Sequence, residues 1–383
     1  MGIHINHIIT TIDILGVVQG LLFGTMLLFL HLKRNKPSLY LGLFILLFAM
    51  EPIPNILSDS GILKSLPQLN MLPVHFHFLA FPLLYIYTQK VSIIHTGKPS
   101  YWTLIPGFLE VIAGLVLFFL PEAAKLGLMH TEYAIFYFVL GLIYTIYISM
   151  LIVLHIRAHQ KEVENQFSEM YRKRLEWLQL FVFTSIGYHI LLLINFFVSS
   201  PHFYFVLTCI NAVLIYWISY KGIIQDHVES LYPLPEKTET GSRPHHHGNQ
   251  NTEIKGSEPV HEVDKLPFMQ REEMEEVIET IDEYINQSEC YLQEDLTIVD
   301  IAEATNIHPK RISNSLNKQK GMNFNNYINK FRVEKAKALF RSTIGNQLSV
   351  EGVGTESGFH SKATFYSAFK KFEGCTPANY KNR

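Results

Sequence analysis

The chain has 383 residues, of which 48% are apolar and only 17% are charged, so it is more hydrophobic than an average soluble domain. Its net charge of −2 is small, and because charges of each sign are segregated along the chain, this total excludes no class of partner. Three cysteines, Cys209, Cys290 and Cys375, lie far apart, which excludes a disulfide framework and a CxxC metal pair.

Seven apolar stretches dominate residues 1–222, and each is about 19–24 residues long. This length suffices for a helix to cross a hydrocarbon core of about 30 Å. The first stretch has neither the basic start nor the small-residue cleavage site of a signal peptide. We therefore predict a seven-transmembrane-helix bundle with spans near Ile12–Leu32, Leu39–Leu57, Leu72–Ile93, Trp102–Leu120, Tyr133–Ile156, Leu175–Val198 and His202–Tyr220.

Lysine and arginine residues are distributed unequally between the loops of this predicted bundle. If the N-terminus is outside, the inner loops hold ten of them and the outer loops hold only two, Lys64 and Lys125. Such a bias is typical of membrane proteins, whose cytoplasmic loops carry an excess of lysine and arginine. With an odd number of spans the C-terminus is also cytoplasmic, and we predict a multi-pass protein of a bacterial inner membrane.

Ionisable residues within the predicted spans are candidates for intramembrane sensing, because their burial in hydrocarbon is costly. The candidates are Glu51, Glu110 and His189. For Glu51, a position at a frayed helix end beside Pro52 is the alternative interpretation. His75 and His77 are two residues apart and would point in nearly opposite directions on a helix, so we predict no metal site, and no cofactor is indicated.

Two polar segments connect or follow these spans. The inner loop Arg157–Arg174 continues as a polar helix, and it could contact a second copy, form a relay towards the following linker, or have no partner. Residues 223–270 are rich in Glu, Pro, Gly, Ser and His and show no periodicity, which predicts a flexible cytoplasmic linker. Its triplet His245–His247 could bind metal, but a solvated histidine tract is the preferred interpretation.

Residues 271–383 form the third predicted domain, and their charge changes sign along the chain. Arg271–Glu303 contains one basic and twelve acidic residues, whereas Ala304–Arg383 contains fourteen basic and four acidic ones. A basic block of this kind is expected of a surface that binds phosphates. Charge alone does not distinguish such a surface from an ordinary solvated face.

An internal repeat gives this basic block a more specific interpretation. Thr297 is a candidate helix N-cap, Asn306 can adopt the left-handed turn conformation, and Pro309 suits the first position of a second helix. The pattern returns about 53 residues later, where Gly374 and Tyr380 match Gly321 and Tyr327 at that spacing. We therefore predict two helix-turn-helix units in tandem.

The segment between the repeats, Phe324–Arg341, has helical spacing of its apolar residues. A helix of this length spans about 27 Å. It could hold the two recognition helices about one DNA turn, roughly 34 Å, apart, so that both enter successive major grooves.

At these residues the chain resembles the AraC/XylS family of bacterial transcriptional regulators. The resemblance covers about residues 272–383 and is carried by DLTIVDIAEATNIHPKRISNSLNKQKG, FNNYINKFRVEKAKALF and SGFHSKATFYSAFKKFEGCTPANY. It implies a soluble, all-α domain with two recognition helices. The architecture as a whole, with spans before the domain, is similar to membrane-bound AraC-type regulators of Bacteroidetes-like bacteria.

The resemblance also implies which residues face DNA bases. In the first unit they are Lys310, Arg311, Ser313 and Asn314, and in the second they are Lys362, Ala363, Tyr366 and Ser367. Arg311 and Lys310 could donate to guanine and Asn314 could pair with adenine. The expected phosphate contacts are Lys318, Lys320, Lys370 and Lys371. For any single lysine, an uninvolved surface charge is the alternative.

The second unit departs from the family pattern. Val353-Gly354 stands where Ile-Ala is usual, and Gly352 precedes this pair. Each glycine inside a helix costs about 1 kcal/mol relative to alanine, so we expect the second unit to be weakly ordered before it binds DNA. Because Ala363 and Ser367 are small, we expect specificity to depend mainly on the first unit.

The sequence thus predicts a membrane-bound, one-component, sequence-specific DNA-binding transcription regulator that responds to a signal at or in the membrane. Its partners would be double-stranded DNA and the lipid bilayer, with a small-molecule or membrane-protein signal and a homodimer left open. The alternative is a membrane transporter or intramembrane enzyme that carries a regulatory DNA-binding tail. HExxH, GxGxxG, P-loop and GxSxG motifs do not occur in the sequence, so we do not predict an enzyme.

Overall fold

The computed structural model describes residues 2–34, 37–94, 99–122, 124–125, 131–169, 175–198, 200–231 and 271–382. Within these ranges the secondary structure is helical, apart from one isolated antiparallel bridge between Phe167 and Thr297. The all-α fold class is therefore confirmed. The chain divides into an N-terminal unit, Met1–Val163 with Arg172–Tyr232, and a C-terminal unit, Glu164–Tyr171 with Pro233–Arg383.

The N-terminal unit is built from nine α-helices among the described residues, joined by short irregular or 3₁₀ segments. They are α1 (Gly2–Arg34), α2 (Ser38–Met50), α3 (Ile53–Asp59), α4 (Ile62–Ser65), α5 (Ala80–Val91), α6 (Ile105–Phe118), α7 (Thr131–Gln166), α8 (Glu176–Val198) and α9 (Pro201–Leu231). The last three residues of α7 already belong to the C-terminal unit.

Six helical segments of the described chain are long and apolar enough to cross a bilayer. They are Ile5–Phe29, Ser38–Asp59, Tyr101–Phe118, Glu132–Gln166, Glu176–Val198 and Pro201–Ile224. Large apolar side chains on several of these helices are solvent-exposed, including Leu22, Phe29, Phe136, Phe197 and Val213. Exposed apolar surface of this extent fits contact with lipid better than contact with water.

The predicted third span, Leu72–Ile93, differs from the observed structure. Only α5 is helical in this stretch, and its twelve residues extend about 18 Å, short of the roughly 30 Å of a hydrocarbon core. The backbone before α5 is irregular, and its N–H groups at His77 and Phe78 donate to the Glu110 carboxylate at 3.0 and 3.1 Å. Among the described residues, the structure thus has six helical segments of spanning length and one short buried helix where seven spans were predicted.

The core of the N-terminal unit is aromatic. Phe44 stacks on Phe48 with ring centroids 5.5 Å apart, and it meets the edges of Phe81 and Phe181 at 5.8 and 5.7 Å. These rings come from α2, α5 and α8, so α5 is held inside the helical bundle although it is short.

The linker boundary also lies later than predicted. Helix α9 continues through Leu231, so residues 223–231, assigned to the linker from composition, are helical. Residues 232–270, including His245–His247, lie outside the described residues.

The C-terminal unit contains eight described α-helices. They are α10 (Arg271–Ser288), α11 (Ile298–Thr305), α12 (Pro309–Ser315), α13 (Phe324–Phe340), α14 (Thr343–Gln347), α15 (Val350–Glu356), α16 (Lys362–Glu373) and α17 (Pro377–Lys381). Helix α12 is followed directly by a π-helical turn, Leu316–Lys320.

Two separate apolar cores stabilise this unit, and α13 contributes to both. Phe324 and Ile328, near its start, pack in the first core with α10, α11 and α12. Val333 and Phe340, further along, pack in the second core with α15 and α16. The helix predicted over Phe324–Arg341 is therefore confirmed as the element that joins the two repeats.

Candidate functional sites

The first helix-turn-helix unit begins with a capping box at the start of α11. The Thr297 hydroxyl accepts a hydrogen bond from the Asp300 N–H at 3.2 Å, and the Asp300 carboxylate accepts one from the Thr297 N–H at 2.7 Å. Two N–H groups that the helix cannot satisfy are thereby satisfied. Asn306 ends α11 in the left-handed conformation, with φ 55°, as its place in the sequence predicts.

Helix α12 is the second helix of this unit. His308 caps it through an imidazole nitrogen that accepts from the Lys310 N–H, and Pro309 occupies the first turn. Ile312 is fully buried, which fixes the inward face of the helix. Of the predicted base-facing residues, Lys310 is exposed, whereas Arg311, Ser313 and Asn314 are half-buried.

The second unit repeats these devices with different residues. The Ser349 hydroxyl caps α15, and the Ser361 hydroxyl caps α16 by accepting from the Thr364 N–H at 3.1 Å. Phe365 and Phe369 turn inward and are buried. The base-facing candidates on α16 are placed outward: Lys362, Ala363 and Ser367 are exposed and Tyr366 is half-buried.

Lys362 has competing partners within its own unit. Its Nζ lies 2.6 Å from a carboxylate oxygen of Glu351 and 5.4 Å from the centre of the Tyr366 ring. The hydrogen bond to Glu351 raises the pKa of Lys362, so the ammonium group remains charged but is partly neutralised. A phosphate or a base would have to displace this carboxylate.

The four predicted phosphate-binding lysines lie at the C-terminal ends of the two recognition helices and are exposed. Lys318 and Lys320 belong to the π-helical turn after α12, and Lys370 and Lys371 lie in the last turn of α16. Lys371 also donates to the Asn326 side-chain oxygen at 2.7 Å.

Arg332 of α13 is a central residue that the sequence analysis did not single out. Its side chain is fully buried, and it donates to the carbonyl oxygens of Tyr291 and Gln293, both at 2.7 Å. Burial lowers the pKa of Arg332 to about 10, against the opposing field of acidic neighbours such as Glu169. No local signal in the sequence identifies it, because the carbonyls that it binds lie about 40 residues away along the chain.

The inner-loop segment Glu164–Tyr171 belongs to the C-terminal unit. Phe167 and Ser168 are buried there. The Ser168 N–H donates to the Leu296 carbonyl at 3.0 Å, and its own carbonyl accepts from the Asn325 amide at 2.6 Å. Arg332 also donates to the Ser168 hydroxyl at 3.3 Å. These contacts exclude one of the three interpretations left open for the loop Arg157–Arg174, namely a helix extension that has no partner.

Glu110, one of the predicted intramembrane candidates, belongs to α6, and its carboxylate contacts the backbone that precedes α5. Besides the two backbone N–H groups described above, its carboxylate accepts a short hydrogen bond from the Tyr137 hydroxyl. This arrangement satisfies N–H groups that a broken helix leaves free inside the bundle. The contacts explain Glu110 as a structural residue of the N-terminal unit.

The other two candidates, Glu51 and His189, are brought together with His77. One carboxylate oxygen and one imidazole nitrogen from each histidine all lie within 4.8 Å of one another. His75, its neighbour in sequence, stacks on His77 with ring centroids 5.9 Å apart and is not part of this cluster. The prediction of no metal site rested on His75 and His77 lying on a helix. The segment that contains them is irregular instead.

Comparisons with known proteins concern the C-terminal unit. Residues 301–383 match the family described as "Helix-turn-helix domain". The uncharacterized HTH-type transcriptional regulator YtdP of Bacillus subtilis is 28% identical over 91 residues, which cover 24% of this chain but only 11% of that protein. A solved Listeria innocua protein of unknown function is 25% identical and covers 27% of this chain and 94% of its own, with a TM-score of 0.24.

Proposed function

We propose that this chain, whose C-terminal part is an AraC-type helix-turn-helix domain, is a membrane-bound, one-component, sequence-specific DNA-binding transcription regulator. The observation that carries the proposal is the pairing of two capped recognition helices on one connecting helix, in the same chain as six apolar helices of spanning length. The proposed location is the inner membrane of a bacterial cell, with the C-terminal unit in the cytoplasm.

Helices α12 and α16 are the proposed major-groove elements. Lys310, Arg311 and Asn314 would contact base edges from the first unit, because an arginine or lysine suits guanine and an asparagine suits adenine. The exposed lysines after each recognition helix would contact phosphates and set the register of the protein on the duplex. The proposed partners are double-stranded DNA and the lipid bilayer, with a second copy of the chain as a further candidate.

The segment Glu164–Tyr171 is the proposed relay for a signal from the membrane. It begins with the last three residues of α7, and its buried residues bind both the start of the first unit, at Leu296 and Thr297, and the connecting helix, at Asn325. A change at the end of α7 would therefore act on residues that position α11. The signal itself would be a small molecule or another membrane protein.

Chromatin immunoprecipitation with sequencing on the full-length, membrane-resident protein tests this function. We expect a few sharp peaks that share a site with two half-elements about ten base pairs apart. Binding of the purified full chain to that site should weaken steeply with salt, as expected when several phosphates are contacted. No enrichment under any growth condition, together with a flat salt dependence, would contradict the proposal.

The relay has its own test. Replacement of Phe167 with alanine should leave binding of the site by the purified chain unchanged and should alter transcription of the genes beside the peaks. If the variant loses DNA binding in vitro to the same extent as it loses control of transcription, the segment only completes the fold of the C-terminal unit.

A further inference from the structure

The cluster of Glu51, His77 and His189 gathers three potential metal ligands from three separate parts of the N-terminal unit. Glu51 follows directly after α2, His77 lies in the irregular segment before α5, and His189 belongs to α8. Their ligand atoms lie within 4.8 Å of one another. Ligand atoms about 2.1 Å from a tetrahedral ion are about 3.4 Å apart, so side-chain rotations that close the widest pair by roughly an ångström would complete the site.

The orientation of His189 suits metal binding. Its Nδ1 lies 2.7 Å from the Ser185 carbonyl oxygen, and because a carbonyl only accepts, Nδ1 carries the proton. The unprotonated Nε2 is then the nitrogen that can bind a metal, as in metal sites where a backbone carbonyl fixes the tautomer. Phe48, Phe81 and Phe138 surround the ring, with centroids 5.9–6.5 Å away.

His77 is held in place through both its backbone and its ring. The backbone N–H is bound by the Glu110 carboxylate, and the ring lies 5.3 Å from each of the Tyr137 and Phe138 rings. Gly141 of α7 permits this close approach, because a Cβ at that position would stand 2.6 Å from the Cβ of His77.

The charge around Glu51 favours a cation. Glu51 and the buried Asp13 line one small cavity, and none of the described residues that line it is lysine or arginine. Carboxylates inside a helical bundle are costly unless they are protonated or a positive charge compensates them. An open cavity of about 290 Å³ shares Asn55 and Tyr204 with the small one and adds the carboxylate of Asp59, which gives a polar route for an ion.

We propose that Glu51, His77 and His189 bind one divalent transition-metal ion of the zinc class. Two imidazole nitrogens and one carboxylate are ligands that suit such ions, whereas Mg²⁺ and Ca²⁺ require oxygen ligands. Three protein ligands leave a fourth position for water or another group. This inference concerns metal binding alone and goes beyond the proposed regulatory function.

The experiment uses the full chain, purified in detergent without a histidine tag and with His245–His247 replaced by serine, so that the linker tract cannot bind metal. After treatment with a chelator, the protein is titrated with Co²⁺, whose visible absorption reports tetrahedral coordination. We expect one bound ion per chain, displaced by Zn²⁺. Glu51→Gln and His189→Gln should each weaken binding at least about 100-fold, since even partners that only orient ligands contribute 10–100-fold.

Two further variants separate metal binding from folding. His75→Gln alters the stacked neighbour of His77 outside the ligand set and should bind Co²⁺ as the parent does. His189→Cys retains a ligand and should bind Co²⁺ with a new thiolate-to-metal absorption band, which a purely structural residue would not produce. Absence of stoichiometric Co²⁺ binding, equal binding in Glu51→Gln, or a His189→Cys protein without the thiolate band would overturn the proposal.

Discussion

The two helix-turn-helix units use the same scaffold but present different surfaces. The N-caps of the first helices, Thr297 and Ser349, are 52 residues apart, and those of the recognition helices, His308 and Ser361, are 53 apart. The second unit is therefore one residue longer from cap to cap, and because α15 is one residue shorter than α11, its turn is two residues longer. Because the caps repeat while the outward residues do not, the comparison separates residues that build the unit from residues that select its ligand.

The units also differ in the size of their cores. The first core includes the additional helix α10, which contributes Met274, Ile281 and Ile285. The second has no such helix in the described chain and packs aromatic rings instead, with Phe369 meeting Phe340 and Tyr380 at 6.0 and 5.3 Å. We therefore expect each contact to contribute a larger share of the stability in the smaller second unit than in the first.

The substitution with the largest expected effect, Arg332→Met, tests whether the two helix-turn-helix units are independent in stability. Arg332→Met keeps the length of the side chain but leaves the carbonyls of Tyr291 and Gln293 without their donor, a loss of about 3 kcal/mol or more for a buried charged group. Arg332 also lies 5.9 Å from the centre of the Phe359 ring, which packs in the second core, so hydrogen exchange of the full chain should accelerate about 100-fold in both units. Arg341→Met, at the exposed end of α13, is the control and should change exchange little; acceleration in one unit alone would contradict a shared role.

Two glycines of α15 provide a matched pair within the second unit. A Cβ at Gly354 would stand 2.7 Å from the Phe365 ring, whereas one at Gly352 would come no closer than 3.3 Å, to the Ser349 hydroxyl, with Leu348 at 3.6 Å. Overpacking costs about 1–3 kcal/mol, and alanine otherwise favours a helix by about 1 kcal/mol. We expect Gly354→Ala to destabilise α15 by up to about 2 kcal/mol and Gly352→Ala to be neutral or stabilising.

Hydrogen exchange of the peptides that cover α15 and α16 measures this difference. The two variants should differ by at least tenfold in exchange rate. Equal effects would mean that both glycines only lower helix propensity, as the sequence alone suggests, and that the fit against Phe365 contributes nothing.

Local sequence signals predicted the C-terminal unit well. Thr297, Asn306 and Pro309 occupy the predicted cap and turn positions, because a cap depends only on residues three or four positions away. The burial of Arg332 and the contacts of Ser168 could not be predicted in this way. They join residues about 40 and more than 120 positions apart, and no periodic pattern reports such contacts.

The N-terminal unit shows the same limit. Composition identified its six apolar helical segments of spanning length, but it also predicted a span at Leu72–Ile93, where the Glu110 carboxylate binds the backbone of a broken helix. Glu51 and His189 were selected as costly groups inside predicted spans, yet their meeting with His77 depends on that irregular segment. Hydropathy measures whether a segment prefers lipid, and it does not report which side chains converge.

The surfaces of the recognition helices give the third prediction. Arg311→Ala should cost about 1–3 kcal/mol in binding to the target site if the guanidinium contacts a base. Ser367→Ala on α16, at the position equivalent to Asn314, should cost less than about 1 kcal/mol, since a neutral hydrogen bond contributes little. Binding of the full chain to target and random DNA measures both. An equal loss on both DNAs for Arg311→Ala would assign it to phosphate, and a larger loss for Ser367→Ala would reverse the expected order of the units.

The smallest expected effects concern the lysines that follow each recognition helix. Replacing a lysine that contacts phosphate should reduce the slope of log K against log salt by about 0.9 while leaving the preference for the target site unchanged. We expect this reduction for Lys370→Gln. Lys371 already donates to Asn326, and a phosphate gains from it only by breaking that bond, so Lys371→Gln should change the slope less. A larger change for Lys371 than for Lys370 would show that DNA releases the bond to Asn326.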